Sequence, residues 1–328
     1  MLDEILSDLF LVTNKDLPLY DKVDYLFKQQ TENWQLAKNG YSSLKLVEKK
    51  IFEFDDFIIE AHYNPGRIVS SSAKVDEKSI KERPCFLCID NLPGDQKAVK
   101  IDDKYILLVN PFPIFDKHFT IPHVQHIPQT IKENFKSLLT ISEKLNKDFS
   151  IFYNGPKCGA SAPDHLHFQA GNFGFMRIDN EFYSILNKYG KLINDTYEYT
   201  TTAVTNYLRN FISIESNEIE PLTNEFMRIY DILSEGLNDE PMLNIICTYN
   251  NFWKIIIFPR KKHRPTYFFE EGENIILISP AAVDMGGVLI FPREEDFNKI
   301  DKETVIDIYS QVTFSNDEMS NLIKKLKV

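Results

Sequence analysis

The sequence predicts an α+β fold made of two halves, each an antiparallel sheet with packed helices. Two observations carry this. Between residues 51 and 200 the hydrophobic pattern reads strand, strand, strand, helix, strand, loop, strand, an order that suits an antiparallel sheet with its own helix. After residue 200 the theme returns more weakly. Phe119-Thr120-Ile121-Pro122 before a helix is echoed by Leu289-Ile290-Phe291-Pro292 before another. The expected division is a helical N-terminal segment over 1–50, a first half over 51–200 and a second half over 201–328.

Each element has its own signal. Val23, Leu26, Phe27, Trp34 and Leu36 fall at helical spacing between residues 20 and 46. Residues 53–64 alternate and are β-rich, with Phe54, Phe57, Ile59 and His62. Residues 70–72 and 74–82 read as loop. Residues 105–109 and 119–121 are buried strand candidates. Ile131, Phe135, Leu138, Leu139 and Leu145 share one helix face ahead of a strand at 150–153. In the second half, 222–237 is an amphipathic helix. Residues 242–248 and 253–258 pair around Asn250-Asn251. Strands are expected at 275–278 and 288–291. Ser315-x-x-Glu318 is a capping box that opens a last helix through Met319, Leu322, Ile323 and Leu326.

Composition narrows the functional class. Over 328 residues, 43% are hydrophobic and 26% charged, the balance of a globular chain. The net charge of −11 argues against nucleic acid, which needs a basic footprint, but leaves room for a small anionic ligand. Met1-Leu2-Asp3-Glu4 lacks a signal-peptide start, and no apolar run approaches a membrane span. Four cysteines are too few for a disulfide scaffold at this length. The expected location is the cytoplasm. Oligomeric state is left open.

The chemistry concentrates in His165-Leu166-His167-Phe168-Gln169. On a strand, positions i, i+2 and i+4 share a face. Two imidazoles and an amide then line one side, while Leu166 and Phe168 enter a core. A neutral imidazole can attack phosphorus, and N–H groups can hold its oxygens. The preceding Asn154-Gly155-Pro156-Lys157-Cys158-Gly159-Ala160-Ser161 adds glycines, a lysine and a serine. Gly159 permits close backbone approach to an anion, and Lys157 and Ser161 are candidate phosphate contacts. Asn154 suits ribose or phosphate as well as it suits a turn.

Cys85-Phe86-Leu87-Cys88 has the spacing of a zinc clasp that needs two further ligands. A redox pair and plain reduced cysteines are the other readings. Arg260-Lys261-Lys262-His263-Arg264 is a basic cluster in an acidic chain. It is either a solvated hairpin tip or a phosphate contact made by Arg260 at the first half's site.

The run Gly159-Ala160-Ser161 into His165-x-His167-x-Gln169 resembles the histidine-triad superfamily, in its nucleotidyltransferase and phosphorylase branch. That branch holds galactose-1-phosphate uridylyltransferases, diadenosine tetraphosphate phosphorylases and GDP-hexose phosphorylases. Cys85-x-x-Cys88, the segment from His118-Phe119-Thr120-Ile121-Pro122 to His126-Ile127, and Asn64-Pro65-Gly66-Arg67 extend the likeness. The pattern also resembles an uncharacterised bacterial family over most of the chain.

The resemblance implies two histidine-triad-like halves, the second without the histidine pair. It implies His167 as nucleophile, with His165 and Gln169 as further catalytic groups and Arg67 as a substrate contact. It implies a structural zinc held by Cys85, Cys88, His165 and His126, with His123 competing for the last place. The expected reaction cleaves a nucleotide sugar or dinucleoside polyphosphate through a nucleotidyl-histidine. Inorganic phosphate is the favoured acceptor and a sugar phosphate the other candidate. Gln169, where hydrolases place a third histidine, favours transfer. A nucleotide hydrolase and a non-catalytic zinc-stabilised nucleotide-binding protein are the alternatives. His62 and His118 are expected to be structural.

Overall fold

The computed structural model describes residues 17–68 and 77–327. The chain opens with α1 (Leu19–Asn33), α2 (Gln35–Ser43), β1 (Glu48–Glu53), β2 (Ile58–Tyr63) and α3 (Glu77–Glu82). Next come β3 (Ala98–Lys100), β4 (Ile106–Val109), β5 (His118–Pro122), α4 (Phe135–Leu145), β6 (Phe149–Asn154), β7 (His167–Asn172) and α5 (Arg177–Tyr189). The later part holds β8 (Gly190–Asp195), β9 (Thr200–Val204), β10 (Phe211–Ser216), α6 (Ile219–Leu233), β11 (Leu243–Tyr249) and β12 (Trp253–Pro259). It ends with α7 (Ala282–Met285), β13 (Val288–Phe291), α8 (Glu294–Lys299), α9 (Lys302–Val312) and α10 (Asn316–Leu326).

Ten strands form one sheet in the order β3-β4-β5-β7-β6-β11-β12-β10-β9-β8, with every neighbouring pair antiparallel. The order 3-4-5-7-6 is repeated as 8-9-10-12-11, and β6 and β11 form the seam. In each half a helix links the third and fourth strands. Those helices, α4 and α6, meet through Phe135 and Phe226, stacked at 3.6 Å. The second five strands begin at Gly190, inside the span expected for the first half.

Strand alternation sorts the core into two layers. Ile151, Tyr153, Phe168, Ile255 and Ile257 pack with Val23, Phe135, Phe226 and Leu322 beneath the helices. Phe152, Ile246, Ile256 and Phe258 face the opposite way, toward Ile59, Leu289 and Ile308. There a small sheet, β1-β2-β13, covers the large one, with β13 parallel to β2. The terminal helix carries the expected cap: Ser315 Oγ accepts from Glu318 N–H, and Glu318 Oε2 accepts from Ser315 N–H at 2.7 Å.

Several expectations change. β1 lies partly inside the segment read as helical, and 77–82 is helix, not loop. Residues 70–72 and 74–76, and the first four residues, lie outside the described residues. Residues 275–278 form no strand. The Ile276 and Leu277 N–H groups bond to the Tyr267 carbonyl and Asp296 Oδ2 instead of a ladder. The echo around Pro122 and Pro292 is not the repeat: β5 sits within the large sheet, and β13 belongs to the small one. The two runs share only a buried strand with proline at or just after its end.

Candidate active site

A cavity of about 720 Å³ lies against the first half of the large sheet, with His167, Gln169, Phe152 and Asn154 in its wall. His167 opens β7 and is 2% exposed. Its Nδ1 lies 2.8 Å from the His165 carbonyl oxygen. A carbonyl only accepts, so Nδ1 carries the proton and Nε2 keeps a free lone pair. Burial pushes the ring down to about 4, which keeps it neutral.

Gln169 shares that face. Its Oε1 lies 3.0 Å from His118 Nε2, while His118 Nδ1 accepts the Ile114 N–H at 3.2 Å. His118 is therefore the Nε2–H tautomer and donates to Gln169. The Gln169 oxygen is thereby committed, and its NH₂ is the end left to serve the cavity. Burial, and then the nearby Arg67 charge, push His118 down to about 3. His118, expected to be structural, orients a cavity residue.

His165 does not share the cavity face. β7 starts at His167, and His165 lies before the strand, so period-two alternation does not reach it. Its Nδ1 lies 3.3 Å from Cys85 Sγ and 3.6 Å from Cys88 Sγ. His126 Nδ1 is 3.2 Å from Cys88 Sγ. The four ligand atoms fall within 4.8 Å of one another, a Cys₂His₂ group able to hold a metal ion. His165 Nε2 donates to the His123 carbonyl at 2.8 Å. That leaves Nδ1 unprotonated, with a lone pair able to ligate a metal. His123 contributes that carbonyl, and its ring is outside the group. Burial and then the Cys85 charge push the Cys88 thiol up to about 11.

The neighbouring residues divide. Gly159, Ser161 and Arg67 line the cavity. Gly159 has φ +93, and a Cβ there would stand 2.6 Å from Ala281 Cβ, so glycine is required. Arg67 Nη1 donates to the Phe112 carbonyl at 2.7 Å. Asn154 Oδ1 accepts from Asn244 Nδ2 and Ala282 N–H, both at 2.8 Å.

Lys157 and Arg260 are corrections. Lys157 points to solvent and pairs with Asp239 at 2.6 Å, outside the cavity wall. Its loop turns at Gly159 and carries it away. Arg260 is 2% exposed and is spent on structure. It donates to Val312, Pro280, Lys262 and His263 carbonyls and to Asn244 Oδ1. The basic cluster reaches the cavity through His263 and Arg264 instead. Arg264 Nε donates to Ser279 Oγ at 3.0 Å, and its guanidinium lies 3.9 Å over Phe268. Arg83, Asn110, Thr120 and Asp284 also line the cavity, and no motif announced them.

Residues 26–172 match a family described as a domain of unknown function, DUF4922. Residues 186–327 match the GDPGP1-like C-terminal domain. A galactose-1-phosphate uridylyltransferase of Caldanaerobacter subterraneus subsp. tengcongensis is 24% identical over 243 residues, covering 67% of this chain and 44% of that protein. The chain thus spans less than half the length of that curated relative. Yeast Ap4A phosphorylase Apa2 has the same fold. Its AMP complex superposes with TM-score 0.55 at 15% identity, covering 88% of this chain and 97% of that one. Its Ap4A complex gives 0.53 at 14%, covering 89% and 98%. The second half thus matches a GDPGP1-like domain, most of the chain shows a distant likeness to a uridylyltransferase, and the whole shares its fold with Ap4A phosphorylase.

Proposed function

We propose that this protein is a nucleotidyltransferase of the phosphorylase type that works through His167. The carrying observation is the His167 ring, held by the His165 carbonyl with its Nε2 lone pair free and its edge in the cavity wall. Nε2 attacks the α-phosphorus of a nucleotide sugar or dinucleoside polyphosphate. An N–P bond forms, and the P–O bond to the departing sugar phosphate or nucleotide breaks. The leaving group is a weak base and departs as an anion. The His165 carbonyl steadies the positive charge the ring acquires. The Gln169 amide N–H groups are placed to hold the phosphoryl oxygens, with Arg67, Ser161 and the Gly159 backbone beside them. Inorganic phosphate then attacks the same phosphorus, the N–P bond breaks, and a nucleoside diphosphate leaves.

The Cys85, Cys88, His126 and His165 group suits zinc in its donor set and ring tautomers. A filled four-ligand site has no open position, so its role is structural. A reducing, cytoplasmic setting agrees with four unbridged cysteines. Among the described residues no helix is long and apolar enough to cross a membrane.

Incubation with α-³²P-labelled nucleotide sugars and Ap4A, followed by denaturation, tests the reading. An acid-labile, hydroxylamine-resistant adduct on His167 is expected, discharged as nucleoside diphosphate by phosphate. Nucleoside monophosphate formed at one rate with and without phosphate, with no adduct, overturns it in favour of hydrolysis.

A further inference from the structure

The nucleophile's backbone sits where the sheet fails to hold it. On one side the β6–β7 ladder ends at Phe152 and Gln169, two residues short of His167. On the other side His167 faces Pro122 in a non-hydrogen-bonded pair, the neighbouring bond running from His123 N–H to the Leu166 carbonyl, so both His167 backbone groups point toward β6. A buried peptide without partners is costly and poorly fixed.

Gln129 fills this gap. Its side chain is 1% exposed. Its Oε1 accepts the His167 N–H at 2.8 Å, and its Nε2 donates to the His167 carbonyl at 3.1 Å and the Asn154 carbonyl at 2.9 Å. One amide thus takes the place of the missing rungs and ties the start of β7 to the end of β6.

Glu240, from the loop before β11, braces Gln129's own segment and the end of β6 that Gln129 bonds to. Its Oε2 accepts the Ile131 N–H and its Oε1 the Tyr153 hydroxyl, each at 2.6 Å. Ile131 lies two residues from Gln129, and Tyr153 adjoins Asn154.

We propose that Gln129 is the positioning residue for the His167 nucleophile and that Glu240 makes its placement depend on the second half. The inference rests on the transferase reading above. Neither residue touches substrate. Both act through the backbone that aims the ring, where a small misplacement costs attack rate more than binding.

The test compares Gln129→Leu, Glu240→Ala, Glu240→Gln and Gln129→Leu/Glu240→Ala with the wild type. Single-turnover adduct formation is measured with labelled Ap4A and UDP-glucose, and AMP and UMP binding by calorimetry. Gln129→Leu is expected to slow adduct formation by about tenfold or more, with AMP or UMP affinity within about threefold. Glu240→Ala should do the same more weakly. Glu240→Gln, which keeps an acceptor for Ile131, should recover most of the rate. The double variant should lose less than the product of the single losses, because both act on one path.

A changed ¹⁵N pattern of the His167 ring in Gln129→Leu is the accompanying spectroscopic sign. Should Gln129→Leu not fold, the Glu240 pair decides through the same rate and the same ring signal. Wild-type rates in the folded variants, or losses confined to nucleotide affinity, overturn the inference alone. No adduct in the wild type overturns the transferase reading, and the inference with it.

Discussion

His118 decides which way Gln169 points. The bond between His118 Nε2 and Gln169 Oε1 is 3.0 Å long, and the Ile114 N–H on the far nitrogen leaves His118 no choice but to donate. Replacing His118 by Leu frees the amide to rotate its oxygen toward the cavity, where it would oppose phosphoryl oxygens. The expected result is a fall in kcat of roughly 100- to 1000-fold, the range for one lost oxyanion donor, with KM changed little. Gln169→Glu should be worse, since a carboxylate cannot donate at neutral pH. Steady-state kinetics on the two variants check this. A loss seen only in KM would make His118 a packing residue.

The metal group makes separable predictions. Elemental analysis of protein purified without added metal should give about one zinc per chain. Cys85→Ser and Cys88→Ser should lose it and lower the melting temperature. His123→Ala should keep it, because the His123 part is played by its backbone carbonyl. His126→Ala should not. Equal zinc in both histidine variants would contradict the ligand set.

Much of the site was legible because local chemistry marked it. Cys85-x-x-Cys88, the His165 to Gln169 run and the Gly159 loop sit at short spacings, and the structure brings each to the cavity or the metal group. What stayed hidden depends on long-range contacts. Gln129 is one glutamine among many until β6 and β7 stop pairing beside it. Arg260 and Arg264 look alike in sequence, and only the fold buries one among carbonyls and leaves the other at the cavity wall. His165 was misplaced because a strand boundary fell two residues later than the alternation implied. The two-half architecture was expected, but residues 173–216 carried no assigned element, and there the second half's sheet begins.

Lys157 and Arg260 should now behave in opposite ways. Lys157→Ala removes an exposed ion pair, worth about 0–1 kcal/mol, and should leave both stability and turnover close to wild type. Arg260→Ala strands the buried Pro280 carbonyl and Asn244 Oδ1, and removes a donor from the Val312, Lys262 and His263 carbonyls. Each buried acceptor left without a donor costs about 1–3 kcal/mol. Asn244 also steadies Asn154 in the cavity wall, so turnover should fall along with stability. Denaturant melts and kinetics on the pair measure it. A phosphate-contact role for Lys157 would appear as a raised phosphate KM.

Glu240 predicts a pH effect of definite sign. Burial pushes its carboxyl up from 4.5 to about 7, and bonds from Tyr153 and Ile131 counter this only in part. In the unfolded chain the group ionises near 4.5, whereas in the folded chain it stays protonated until near 7. Across that window the folded state binds more protons, so this group's contribution to stability falls as pH rises. Above about 7 the loss is complete. Glu240→Gln cannot ionise and escapes it. The variant's melting temperature relative to wild type should therefore climb between pH 5 and pH 8. Asp179 and Asp284, both pushed up to about 6 by burial, remain in both proteins and cancel in the difference. Calorimetric melts of the two proteins across that range provide the measurement. A difference that is flat with pH, or that shrinks as pH rises, would mean that Glu240 is already ionised in the folded protein at pH 5, its charge fully met by Tyr153 and Ile131.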